Sequence, residues 1–153
     1  MATSRVPFGS DSTPPSYIFD PRRSWKEQTP RMLPRVEAPD NFFVNAWSPD
    51  GAHIAGTAGL DEKGVVVYSL RTNRYERLTD YGEWPVWLPD SRRILFVSRG
   101  KDFYVIDTET KQARKIYSST RDVLGPPRLS RDGREMYFSR RVTESDIWTL
   151  TFK

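Results

Sequence analysis

The 153-residue chain has no cysteine and one histidine, His53. Without cysteine there are no disulfides, no thiolate nucleophiles and no thiolate metal ligands. With one imidazole per chain, a histidine-rich metal site cannot be assembled, and a Ser-His-Asp triad has no candidate around His53, which reads as a solvated strand residue just past a turn. No apolar run approaches the roughly 20 residues needed to span a bilayer, and the first residues lack the apolar core of a secretory signal. The chain as sequenced therefore reads as cytoplasmic, with no membrane insertion. A phosphate-binding loop is missing too: GTAGLDEKG (56–64) has glycines but links two strands and lacks the Lys-Ser/Thr pair. Asp61, Glu62, Asp80, Glu83, Asp102, Asp122, Glu144 and Asp146 fall in expected loops without the spacing of a calcium loop, so the expectation is no metal, no cofactor and no catalytic centre.

What the chain does have is aromatic and turn-forming residues. Five Trp, seven Tyr and eight Phe with twelve Pro and nine Gly give β-type composition broken by many turns. The segment WSPDGAHIA (47–55) returns as WLPDSRRIL (87–95) and again as LSRDGREMY (129–137). Each copy sits in the same order of events. A short apolar strand leads in (FFVNAW, EWPVW, PPRL), a four-residue turn follows, then an alternating strand (HIAGTA, RILFVS, EMYFSR). A polar loop and a third strand come next: VVVYSL (65–70), FYVID (103–107) or DIWTLTF (146–152). The first two copies add a fourth strand, RYERLT (74–79) and ARKIYS (113–118). Four short strands per repeat of about 40 to 45 residues is the pattern of a propeller blade.

Turn chemistry explains the most visible part of the repeat. Pro49 presets φ for the second turn position, Asp50 can bond nearby backbone, and Gly51 supplies the positive φ that re-enters the hairpin. The second copy keeps Pro89 and Asp90 but has Ser91 for Gly; the third keeps Asp132 and Gly133 but has Arg131 for Pro. Trp47 and Trp87 end the inner strands at equivalent positions, where a large ring can pack between blades, and Leu129 stands there in the third copy.

On these residues the chain resembles the TolB-type β-propeller repeat, a WD-repeat-like blade common in bacteria. The resemblance is strongest over 42–118. It implies an all-β propeller of four-stranded antiparallel blades and says little about function, since such blades occur in TolB, in peptidases and in bacterial regulators. The expected layout is a disordered leader (1–15), a partial blade holding a third and a fourth strand (16–41), blades at 42–80 and 81–119, and a blade lacking its fourth strand (120–153). Three blades do not close a ring of four to eight. Two chains could close one of six, with the N-terminal strand SWKEQT (24–29) of each completing the last blade of the other. The rival is a piece of a longer propeller, periplasmic if that protein is exported, serving as a sensory or gating domain of a hydrolase, kinase or regulator.

The function expected is therefore protein–protein binding or scaffolding, with small-ligand binding in the central channel as a further alternative. Trp84, Tyr81, Phe42 and Phe43 are the aromatic candidates for a binding rim, and Arg92 and Arg93 the basic ones. The net charge of +4 comes from 18 Arg and 6 Lys against 20 acids. No nucleic-acid-binding module accompanies it, so nucleic acid is not an expected partner.

Overall fold

A computed structural model describes residues 2–4, 15–36, 41–59 and 64–142. Among the described residues, strand-favouring residues between turn residues give fifteen short strands, all antiparallel in their pairing. The first sheet holds β1 (Ala2–Ser4), β2 (Ser16–Ile18) and β3 (Arg31–Met32), in that spatial order. The second runs β4 (Phe42–Trp47), β5 (His53–Ala58), β6 (Val65–Ser69) and β7 (Arg74–Arg77). The third repeats it with β8 (Glu83–Trp87), β9 (Arg93–Ser98), β10 (Asp102–Asp107) and β11 (Ala113–Ser118). The fourth is an interrupted ribbon: β12 (Val123–Leu124) pairs with β15 (Arg140–Arg141), and β13 (Arg128–Leu129) with β14 (Met136–Tyr137).

Two parts of the expected layout are corrected. Within the supposed leader, Ala2–Ser4 pair with Ser16–Ile18 and complete a sheet. SWKEQT is not a strand: Trp25–Glu27 form a single 3₁₀ turn, begun by a capping box between Ser24 and Glu27, and the strand of this region comes later, at Arg31–Met32. The strand reading of SWKEQT overlooks that Ser24 and Glu27 offer the backbone a helical turn. DIWTLTF and the leader residues 5–14 lie outside the described residues.

The core is divided among the seams between sheets. Between the first and second sheets lie Leu33, Phe42, Ile54, Ala58, Val66 and Tyr68. Ala55, Val65, Val67, Leu78, Trp87, Ile94, Phe96 and Ile106 fill the next seam, and Leu95, Val97, Phe103 and Leu124 the last. Neighbouring residues of one strand alternate between seams: Ile54 faces back and Ala55 forward, Ile94 back and Leu95 forward. Strands β5, β6 and β9 are thus buried on both faces, which is why VVVY and ILFV read as unbroken apolar runs. Trp47, Trp87 and Leu129 take equivalent places in successive seams.

All three inner hairpins carry an extra residue in the first strand. Val44 and Ala46 face Gly56 and Ala55, Glu83 and Val86 face Val97 and Leu95, and Leu124 and Arg128 face Arg140 and Tyr137. Each bulge bends the first strand of its sheet. Asn45, Pro85 and Pro127, each two residues before the seam residue, mark it in the sequence. Gly56 shows how tightly β4 and β5 meet, since a Cβ there would come within 2.3 Å of the Phe43 carbonyl and 2.5 Å of the Phe42 ring. Gly56→Ala is expected to cost about 1–3 kcal/mol, read as a lower urea midpoint at unchanged slope.

Candidate functional site

The three repeated turns lie on one rim and are built alike. In the first, Ser48 Oγ donates to Asp50 Oδ1 (2.5 Å), the same oxygen accepts the Ala52 amide (3.0 Å), and Ser48 Oγ takes the His53 amide (2.9 Å). The third copies it: Ser130 Oγ to Asp132 Oδ1 (2.6 Å), the Arg134 amide to Asp132 (3.2 Å), the Glu135 amide to Ser130 Oγ (3.0 Å). In the second, Asp90 Oδ1 accepts the amides of Arg92 and Arg93, both at 3.0 Å. The Ser48 hydroxyl, then the Ala52 amide, hold the Asp50 carboxyl below its usual range; Ser130 and Arg134 do the same for Asp132. At Asp90 burial pushes up, and the amide and guanidinium of Arg93 outweigh it. These carboxylates are engaged in making turns.

Two residues of the second turn, the irregular Ser91 and the regular Pro89, make tertiary contacts with the neighbouring turns. Ser91 adopts the left-handed φ of 54° that Gly51 takes at 75°, and its Oγ accepts the Asp50 amide of the preceding turn (3.0 Å). Glycine there could not tie one turn to the next. Pro89 leans on the following turn, where a Cβ on Gly133 would come within 2.2 Å of Pro89 Cγ.

Most of the rim residues expected from the sequence are committed to packing or to ion pairs. Phe42 is buried against Tyr75 at 5.0 Å. Tyr81 stands between Phe96 (5.8 Å) and Tyr104 (5.5 Å), and burial, then Tyr104, push its phenol up. The Trp84 ring packs in the third seam, and its backbone has φ 52°, an unusual conformation for a bulky residue, at the bulge before Pro85. The Trp84 amide donates to Thr57 Oγ1 (3.2 Å), whose hydroxyl donates to Asn45 (3.1 Å). Arg92 pairs with Asp107 (2.7 Å) and Glu109 (3.0 Å), and Arg93 with Asp90 (2.6 Å). On the opposite rim Lys115 pairs with Asp102 (3.2 Å) and Arg140 with Asp122 (3.1 Å). Phe43 alone among the aromatic candidates is half-buried and outside the seam clusters.

His53 is also placed differently from the solvated position expected. It lies in the second seam with its ring 5.9 Å from Trp87, and neither His53 Nδ1 nor Trp87 Nε1, both buried, has a protein partner. Sequence reasoning missed this because the contact is across sheets. A cavity of about 600 Å³ opens beside the first seam, lined by Arg35, Val36, Arg74, Tyr75 and Arg77 among others. The Tyr75 phenol on its wall is pushed up by burial and donates to the Pro34 carbonyl (2.7 Å).

Two measurements check this rim. Gly51→Ala and Gly133→Ala both force a side chain into a positive φ, but Gly51 has only Trp47 Nε1 near it at 3.9 Å. Gly133→Ala is expected to destabilise more than Gly51→Ala, by about 1 kcal/mol or more, and Pro89→Ala to recover the excess in a double-mutant cycle. Asp107 is held at about 2 by the Thr110 amide, then by Arg92. A carboxyl depressed in the fold stabilises above its unfolded pKa and loses that contribution as pH falls through the folded value. Asp107→Asn is therefore expected to flatten the decline in stability between about pH 4 and pH 2, measured by urea titration at each pH.

No family model and no curated protein matches the chain. Solved structures do. TolB from Acinetobacter baumannii superposes with a TM-score of 0.68 at 21% identity, over 91% of this chain and 35% of that one. A protein from Agrobacterium tumefaciens described as a TolB gives 0.59 at 21% identity, over 80% of this chain and 44% of the other. Oligogalacturonate lyase from Vibrio parahaemolyticus gives 0.52 at 17% identity, over 60% and 26%. The chain thus spans less than half the length of the TolB structures it matches. In fold, it is a partial β-propeller of the TolB-like kind.

Proposed function

We propose that the chain is a non-catalytic protein-binding or scaffold module whose propeller ring closes by homodimerisation. The observation that carries this reading is the state of the end sheets. Among the described residues, the inner strands of the second and third sheets are covered on both faces, and of those two sheets only the outer strand of the third leaves large apolar side chains exposed, Ile116 and Tyr117. The first and fourth sheets leave larger exposures, Trp25 and Met32 at one and Tyr137 at the other. Faces of that kind mark association surfaces. The assignment of the potentially reactive groups supports the non-catalytic part. His53 is packed against Trp87, and Asp50, Asp90 and Asp132 are bonded within their turns.

Closure no longer uses a strand from SWKEQT. Two chains of four sheets bring eight into one ring if every sheet stays separate, and six if end sheets of neighbouring chains merge into shared blades. Both lie within the range of closed propellers. The second reading, a segment of a larger propeller with a sensory or gating role, is favoured by the 35% share of the Acinetobacter chain that is matched.

Light scattering over a wide concentration range separates the two. Twice the 17.8 kDa chain mass is expected for the dimer, and the single-chain mass at every concentration overturns closure. For the binding role, the immobilised chain is expected to retain a protein stoichiometrically, and Phe43→Arg to reduce retention without altering the circular dichroism spectrum. No retained protein would overturn it.

A further inference from the structure

From the register of the two end sheets we infer that the first sheet of one copy stacks, face to face, on the fourth sheet of a second copy. The inference rests on the dimer reading above and names its surfaces. In the first sheet Tyr17 pairs with Met32, while Ile18 and Leu33 point into the first seam. Side chains of directly paired residues share a face and neighbours alternate, so Tyr17 and Met32 form the outward face. Phe19, two residues on, stands edge-to-face with Trp25 at 5.8 Å beside them. In the fourth sheet Leu124, Leu129 and Met136 point into the last seam. The pair Arg128 with Tyr137 therefore lies on the opposite face, and Arg141, four residues after Tyr137, shares it; Val123 stands at the edge, its Cγ1 against Gly100 of the third sheet.

Three observations favour a second copy as occupant. The seams run in one sense, each sheet's forward face meeting the next sheet's backward face; the two left over are a backward face on the first sheet and a forward face on the fourth. One copy thus supplies the face that the other lacks, continuing the same stack. The chemistry differs from that of the inner seams and suits a joint between separate molecules. Tyr17, Trp25 and Met32 meet Arg128, Tyr137 and Arg141, a set of aromatic, Met and Arg side chains of the kind enriched at protein interfaces. Arg128 and Arg141 are exposed, so their guanidinium planes can lie on the Trp25 or Tyr17 ring. Finally, Trp25 at 59%, Met32 at 56% and Tyr137 at 55% are the three most exposed large hydrophobic side chains among the described residues, and they sit at the two end sheets.

Such a joint is heterologous, with two identical seams per ring. The test uses the full chain with Met32→Lys on the backward face and Tyr137→Lys on the forward face. Both positions are more than half exposed, so the variants are expected to keep the wild-type circular dichroism spectrum and urea midpoint. Each variant alone has both seams damaged and is expected to dissociate at about a hundredfold higher concentration than wild type, about tenfold per seam. An equimolar mixture contains heterodimers in which both substitutions fall in one seam and the other seam is intact; because a seam already broken by one substitution loses little more from the second, dimer mass is expected to recover at an intermediate concentration. Wild type at single-chain mass throughout overturns this inference together with the dimer. A dimer that neither substitution weakens overturns the surfaces and leaves the dimer standing. Dissociation without recovery in the mixture means a like-with-like joint and overturns the face-to-face assignment.

Discussion

The structure depends on apolar contact between sheets. No sheet here has a core of its own: each is one layer thick and becomes stable only when a neighbour covers its face. The alternation along β5, β6 and β9 sends side chains to two different seams, so removing one sheet uncovers half of the next. A fully buried Leu, Val or Phe contributes about 1.5–3 kcal/mol, so a seam of four to eight such residues far outweighs the exposed ion pairs at the rims. The chain behaves as a short stack whose end faces differ in kind from its middle.

That constraint accounts for the fate of the polar residues. Once the faces are committed to seams, charge and hydrogen bonding are left to the rims and the outer strands. There they organise locally: Ser48 and Asp50 close a turn, Arg92 bridges Asp107 and Glu109, and Arg93 returns to Asp90. The basic rim suggested by the Arg pairs is a set of neutralised couples. Aromatic residues near the rim are drawn into the seams for the same reason. Tyr81 and Trp84 follow turn residues in the chain, yet each has a ring-sized gap between sheets beside it.

The repeat was legible because turn chemistry is local. Asp50, Asp90 and Asp132 recur at a spacing that needs no knowledge of the neighbours, and the runs VVVY and ILFV announced strands buried on both sides. The bulges carry a fainter signal, in Asn45, Pro85 and Pro127 at one fixed distance from the seam residue, whose meaning depends on the strand paired opposite. SWKEQT was misread because its strand-like pattern competes with a capping box, and over three residues a local hydrogen bond prevails. Ser91 looked like decay of the motif; its hydroxyl joins two turns 41 residues apart.

The sequence by itself determined the blade: its strand order, its turns and the residue that enters each seam, all set by interactions within about ten positions along the chain. Only the tertiary structure decided which groups remain available. His53 was drawn against Trp87, Phe42 and Tyr81 were buried, Arg92 and Arg93 were paired, and the faces bearing Met32 and Tyr137 were left open. The physical reason is that burial and pairing across sheets depend on which strand lies opposite, and residues far apart in the chain settle that together.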